Sequence, residues 1–311
     1  MTPHLTLLLP ARGRFRGQPL PKDLGKLLAR ADRSEAHAGN KSQLQRHFDM
    51  VPAHWAVAAI TRHLDADGAE QQAWLRADPA WVQADINGGR MLACGELGLT
   101  MEEAEAFVAS LKTLFGDEGF PILAPTPSRW YLMLPRESKY PVFDPPEDVL
   151  GDDLEPHLPP GDIGRRWRRL LNEAQVLLHN HPLNERRIAQ GKPPVNSLWF
   201  WGGGVLPDFV RTPYASVHGE EVVLRGLCKL AKHSPKPMPN DYAKLVKGGD
   251  VLVDLRDATD LADLAQRCIL PAAGSLRRRD VLQLDFGDGA LFAIRRSQRW
   301  RFWRRAWTSL A

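Results

Sequence analysis

The sequence predicts a mixed α/β fold, and three stretches carry that prediction. Leu5–Leu9 is a short apolar run closed by Pro10, too short for a stable helix and best suited to a buried strand. Thr100 and Glu103 form a capping box ahead of Ala104, Phe107, Val108, Leu111, Leu114 and Phe115, whose spacing gives a helix with one apolar face. Near the other end, Val281 to Phe286 and Leu291 to Ile294 flank Gly287, Asp288 and Gly289, the pattern of a C-terminal β-hairpin.

The remaining elements follow in order. Gly13 to Pro21 reads as a loop before a short helix around Leu24 to Arg30, and Pro52 to Leu64 has helical spacing. Trp74 to Ile86 mixes apolar and polar positions without a clear period. Trp130 to Leu134 reads as a strand, and the seven prolines from Pro135 to Pro160 mark a long loop and a candidate domain junction. Trp167, Leu170, Leu171, Ala174, Leu177 and Leu178 share a helix face that should stop at His181, because the residue before Pro182 avoids the α region. Leu198 to Trp201 reads as a buried strand emptying into a flexible loop at Gly202, Gly203 and Gly204, and loops at the carboxyl ends of strands are favoured ligand sites. Val222 to Ala231 reads as a helix and Asp250 to Leu255 as a strand. No internal repeat is visible.

A content of 43% hydrophobic and 25% charged residues argues against both disorder and a membrane protein. Leu5–Leu9 is far short of the ~20 residues a spanning helix needs and lacks a basic segment before it, so a cytoplasmic location is expected. Cys94, Cys228 and Cys268 are too widely spaced for a zinc knuckle or redox pair and read as small buried hydrophobes. Much of the basic excess lies in Arg277 to Arg279 and in Arg295, Arg296, Arg299, Arg301, Arg304 and Arg305. The last six interleave with Trp300, Phe302, Trp303 and Trp307. That composition suits stacking on bases and neutralising phosphates, or an edge strand whose aromatics pack inward.

Phosphate-loop, zincin, nucleophile-elbow, CxxC and EF-hand motifs are absent, and the triple glycine is not a dinucleotide fingerprint. The densest chemistry lies between Leu178 and Gly204. His181, Asn184, Arg187, Asn196, Trp201 and Gly203 are candidate binding residues there, offering the cations, amides and backbone donors that a phosphate or carboxylate needs. The competing reading has the asparagines bonding backbone at turns and the tryptophans filling a core. His179 and His181, two apart, point to nearly opposite helix faces and do not make a paired metal site. Asp250, Asp254, Asp257, Asp260 and Asp263 suit a hard cation, but better suit a solvated face with Leu261 and Leu264 inward.

Ala73–Pro79 (AWLRADP), Pro125–Tyr131 (PTPSRWY), Leu171–Asn184 (LNEAQVLLHNHPLN) and Asn196–Gly204 (NSLWFWGGG) resemble the RpfE-type regulatory proteins of proteobacteria, over most of the chain. The pattern of His181, Pro182, Asn184, Arg187, Gly191, Pro194, Asn196 and Gly204 is in turn similar to the archaeal-type cofactor-independent phosphoglycerate mutases. The resemblance implies an alkaline-phosphatase-like three-layer α/β/α sandwich from residues 1–64 and 166–311. A smaller inserted α+β region with a Pro-rich linker would occupy 65–165. It also implies, for an active member, two metal ions held by aspartates and histidines and a serine nucleophile, starting with an Asp-Gly pair after the first strand. Here that position reads Pro10-Ala11, Asp254, Asp257 and Asp260 appear with no histidine, and Ser42 lacks a neighbouring aspartate.

The function expected is therefore regulatory or binding, in a catalytically degenerate relative that takes a phosphorylated or carboxylated metabolite and no cofactor. An active mutase or other phosphotransferase with a rearranged site is the first alternative, drawing on Asp254, Asp257 and His181 with manganese or magnesium. A nucleic-acid-binding regulator using the C-terminal Arg/Trp run is the second. No membrane partner is expected.

Overall fold

Every residue of Leu5–Leu9 is buried, and this strand (β1) sits in the middle of a sheet. The computed structural model describes residues 5–85, 88–245 and 249–310. In chain order the further strands are β2 (Asp32–Glu35), β3 (Asp49–Val51), β4 (Ala73–Asp85), β5 (Gly88–Cys94), β6 (Ile122–Leu123) and β7 (Tyr131–Leu134). They continue with β8 (Ser197–Val205), β9 (Phe209–Arg211), β10 (Ser216–His218), β11 (Val251–Asp254), β12 (Val281–Phe286) and β13 (Ala290–Arg295). The chain is mixed α/β and divides into two compact units, Met1–Ala53 with Asp208–Ala311, and His54–Pro207.

In the first unit the order β10-β11-β1-β12-β13-β2 forms one sheet. β10, β11, β1 and β12 run parallel, while β13 and β2 are antiparallel to their neighbours. Leu7 stands level with Val253 on one side and Leu284 on the other. These odd-numbered positions of β1 pack with Leu24 and Leu28 of the helix Lys22–Arg30 and with Leu264 and Ile269. Leu8, Leu252 and Val217 on the alternate positions are also buried, so both faces are covered, as parallel strands require. The expected hairpin forms between β12 and β13. Its Gly289 takes φ +85°, and a Cβ there would lie 2.1 Å from the Ala36 carbonyl oxygen, so only glycine fits the turn.

The second unit is an antiparallel sheet ordered β5-β4-β7-β6, with β8 on the other side of β4. The residues from 74 onward, whose period the sequence left undecided, form a strand because β4 serves three partners along its length. Ile86 lies outside the described residues. The capped helix Met101–Asp117 and the helix Gly161–His179 bring apolar faces to one core. Trp167 stacks on Phe120 at 5.5 Å and meets Phe200 edge-on at 5.2 Å.

Three expectations change. The boundaries fall at 53/54 and 207/208, not at 64/65 and 165/166, because the helix Val57–Asp65 packs on β4 and β8 and Gly161–His179 packs on β8. The proline-rich stretch 135–160 is consequently internal to the second unit, where Phe143, Val149 and Leu154 are buried, and marks no junction. Gly202, Gly203 and Gly204 are not a loop but continue β8. Neighbours press on them: a Cβ on Gly203 would sit 2.5 Å from the Tyr140 ring, and one on Gly204 2.5 Å from the Ala56 Cβ. Cys228 and Cys268 are buried and Cys94 half-buried, all unbridged. No described helix is long and apolar enough to cross a membrane.

Phe200→Ala should destabilise the second unit by about 3–5 kcal/mol, since its ring contacts Phe115, Phe143 and Trp167 and the cavity left cannot close. Urea unfolding followed by far-ultraviolet circular dichroism measures this, and a loss below about 1 kcal/mol would contradict the packing described.

Candidate site at the carboxyl edge of the parallel strands

Parallel strands place their carboxyl ends at one edge, where an α/β sheet ordinarily holds its ligand. In the first unit that edge receives Pro10 and Ala11 after β1, Asp254 at the end of β11, and Asp285 near the end of β12. The short helix Asn40–Gln45 is seated there by Gln43, whose side-chain amide donates to the carbonyls of Leu9 (3.1 Å) and Asp285 (2.7 Å). The Leu9 carbonyl, which also accepts from the Gly287 amide at 2.9 Å, and the Asp285 carbonyl are thereby bridged by one side chain.

The Asp285 carboxylate is itself buried, and charge in that position needs a partner. Arg46 supplies it in bidentate form, Nη2 to Oδ1 at 2.6 Å and Nε to Oδ2 at 3.0 Å, and His47 adds Nε2 to Oδ2 at 2.8 Å. Behind the imidazole, Nδ1 meets the Tyr214 hydroxyl at 2.9 Å, and that hydroxyl donates to Thr6 Oγ1 at 3.0 Å. Burial pushes the Tyr214 phenol up to about 12. Asp254 has a parallel arrangement: Arg256 Nε reaches Oδ1 at 2.8 Å and its Nη2 reaches Oδ2 at 2.6 Å, with Glu221 a further 3.1 Å partner. Asp288, past β12, accepts from Arg12 at 2.7 Å. Beside this edge Ser42, His37 and Arg46 line a cavity of about 620 Å³ with Glu35, Ala36 and Gln45.

The residues singled out between 178 and 204 belong to the second unit, and most serve its scaffold. Asn184 donates to the carbonyls of Leu178 (2.8 Å) and Val195 (2.9 Å) and accepts from the Val195 amide (2.8 Å). Arg187 is 1% exposed and binds the Pro193 and Leu97 carbonyls and the Glu103 carboxylate, at 3.0, 2.6 and 2.8 Å. Asn196 pairs with both backbone groups of Val82, imitating one more rung of sheet. Trp201 donates to Asp78 at 2.7 Å, and the Asp78 carboxylate also holds Arg76. Gly203 offers its carbonyl to His54 at 3.2 Å. His181 lies 4.5 Å from the Phe107 ring, and burial lowers its pKa. The polar atoms of Asn184, Arg187 and Asn196 are bonded to the protein's own backbone and to Glu103, the contacts that the competing reading of these residues expected. Asp260 caps a helix by accepting from the Asp263 amide at 2.9 Å while Leu261 and Leu264 are buried, the solvated face that the spacing indicated.

Sequence comparison points to one class of protein. A 135-residue stretch is 31% identical to the 2,3-bisphosphoglycerate-independent phosphoglycerate mutase of Methanosarcina barkeri, covering 43% of this chain and 33% of that protein. A 63-residue stretch is 44% identical to the probable 2,3-bisphosphoglycerate-independent phosphoglycerate mutase of Geobacter sulfurreducens, covering 20% and 16%. The chain is similar to phosphoglycerate mutases over part of its length, and the matched stretches span a third or less of these relatives. No protein-family model matches it. Among solved structures, a cofactor-independent phosphoglycerate mutase from Thermoplasma acidophilum aligns over 95% of this chain and 90% of its own at TM-score 0.44 and 17% identity. A Pyrococcus horikoshii protein aligns over 94% and 88% at TM-score 0.46 and 14% identity.

The donor set at the carboxyl edge does not fit a pair of metal ions. Hard cations bind through carboxylate lone pairs, and those of Asp285 and Asp254 already hold guanidinium groups. Among the described residues no three His, Cys, Asp or Glu side chains are grouped to hold a metal. His47, Arg46 and Asp285 were not singled out in the sequence, because nothing in the local pattern around residues 46 and 285 signals that the chain brings them together.

Asp285→Ala should cost about 3–5 kcal/mol, because it leaves the half-buried Arg46 and the buried His47 without the carboxylate they share. Urea titration of the full chain checks this; a change below about 1 kcal/mol would mean that the clamp carries little of the edge.

Proposed function

We propose that this chain is a phosphoglycerate-mutase-like protein that works by binding, in a regulatory role, and not by two-metal phosphoryl transfer. The observation that carries the reading is the occupation of Asp285 by Arg46 and His47 and of Asp254 by Arg256. In-line transfer between two metal ions depends on each ion neutralising the attacking or leaving oxygen, so carboxylates committed to arginine remove that stabilisation. The partial similarity to mutases supports a phosphorylated or carboxylated metabolite as the ligand class. The cavity beside Ser42 and His37, at about 620 Å³, has the size of a small-molecule site and presents the Ser42 hydroxyl, with Arg46 at its wall paired to Asp285 and to the His37 carbonyl.

The test is turnover of 3-phosphoglycerate by chelator-treated protein given back manganese, magnesium, cobalt or zinc, alongside calorimetric titration with the same compound. The expected result is saturable binding that Ser42→Ala weakens several-fold, with no turnover above that variant. Metal-dependent turnover that Ser42→Ala abolishes would make the chain a mutase and overturn the proposal.

A further inference from the structure

The opposite edge of the same sheet carries a second concave site. β13 runs antiparallel to β12 and Arg295 stands level with Val281, the first residue of β12, so Arg295 to Arg299 lie at the amino edge, away from Asp285. There a cavity of about 520 Å³ opens between the helix Lys22–Arg30, the segment 270–277 and the turn after β13. Six cationic side chains line it, Lys26, Arg30, Arg277, Arg295, Arg296 and Arg299, against one carboxylate, Asp23.

Two of the six are neutralised within the protein, Lys26 by Asp23 at 3.0 Å and Arg295 by Asp32 at 2.6 Å. Arg30, Arg277, Arg296 and Arg299 make no ion pair among the described residues. Arg30 Nε is buried with no hydrogen-bond partner, and a buried donor left unmade is costly. These four guanidinium groups line one cavity with no carboxylate paired to them, Arg299 lying over the Trp300 ring, so an anion entering there meets cations that the protein has not neutralised. Guanidinium groups match phosphate oxygens in geometry as well as charge. Leu27, Leu270 and Ala273 are only partly buried and give the same cavity an apolar wall.

We propose that this amino-edge cavity binds an organic polyphosphate of the nucleoside di- or triphosphate class. Its phosphates lie against Arg30, Arg277, Arg296 and Arg299, and its ring lies against Leu27, Leu270 and Ala273. The concave shape, of small-molecule volume, favours a compact ligand over an extended single strand, which would need a continuous groove. The site is separate from the carboxyl-edge site and stands whether or not that site binds a metabolite.

Calorimetric titration of the full chain with ATP and with GTP, in the absence of divalent metal, tests it. The expected result is one saturable site, weakened about tenfold or more by the double variant Arg296→Ala/Arg299→Ala and by Arg30→Gln, and weakened by added salt. Arg296 and Arg299 are exposed, so the double variant should unfold at the wild-type temperature without ligand, and nucleotide should raise that temperature in the wild type alone. Arg186→Ala, an exposed arginine of the other unit, should bind as the wild type does. Absence of saturable binding, or binding that the arginine variants leave intact, overturns the proposal. Inorganic tripolyphosphate binding as tightly as ATP would reduce the site to an anion patch and overturn the nucleotide class. A single-stranded RNA oligonucleotide that binds more tightly and displaces ATP would overturn it in favour of a nucleic-acid surface.

Discussion

A carboxylate buried at the end of a parallel strand has to find its counter-charge inside the protein, and the carboxyl edge of the first unit is organised by that requirement at Asp285. Arg46 and His47 close on it from the turn that ends the short helix Asn40–Gln45. That helix is held in register by the Gln43 amide bridging β1 and β12. The chain of contacts then runs through His47 to Tyr214 and back to Thr6 on β1, tying the edge to the centre of the sheet. Bidentate pairing is what makes such burial tolerable, since each carboxylate oxygen meets a charged donor.

The same chemistry underlies the proposed function. A guanidinium is a fixed, delocalised cation with a planar set of donors; a divalent ion is a compact charge able to polarise oxygens directly. The proposed function rests on that difference: Arg46 and Arg256 balance the charge of the two carboxylates but do not supply the Lewis acidity that two-metal phosphoryl transfer exploits. The amino-edge cavity shows the converse condition in the same unit, cations without matching carboxylates. One edge is internally neutralised and the other is left with charge to satisfy.

Much of the local structure was legible in the residues. Leu5–Leu9, the Thr100–Glu103 capping box and the hairpin at Gly287–Gly289 each rest on short-range rules, and each is present. Failures came where distant segments decide. Gly202–Gly204 looked like a flexible loop because glycine is permissive, yet Ala56, Val57 and Tyr140 pack so closely that only glycine fits the strand there. Prolines between 135 and 160 suggested a junction, whereas Val149 and Leu154 anchor that stretch to the unit containing β4. At the candidate site the polar richness around residues 181–196 was real, but Asn184, Arg187 and Asn196 spend it on backbone carbonyls and amides. Conversely, more than two hundred residues separate Arg46 and His47 from Asp285, and no local pattern links them.

The central claim is that arginine, not metal, neutralises the carboxyl edge. A crystal structure of the protein grown with excess manganese, with anomalous scattering recorded at the manganese edge, tests it most directly. The account predicts no anomalous peak within coordination distance of Asp285 or Asp254, with Arg46 and Arg256 still paired to them. A peak at either carboxylate, with its arginine swung aside, would contradict it.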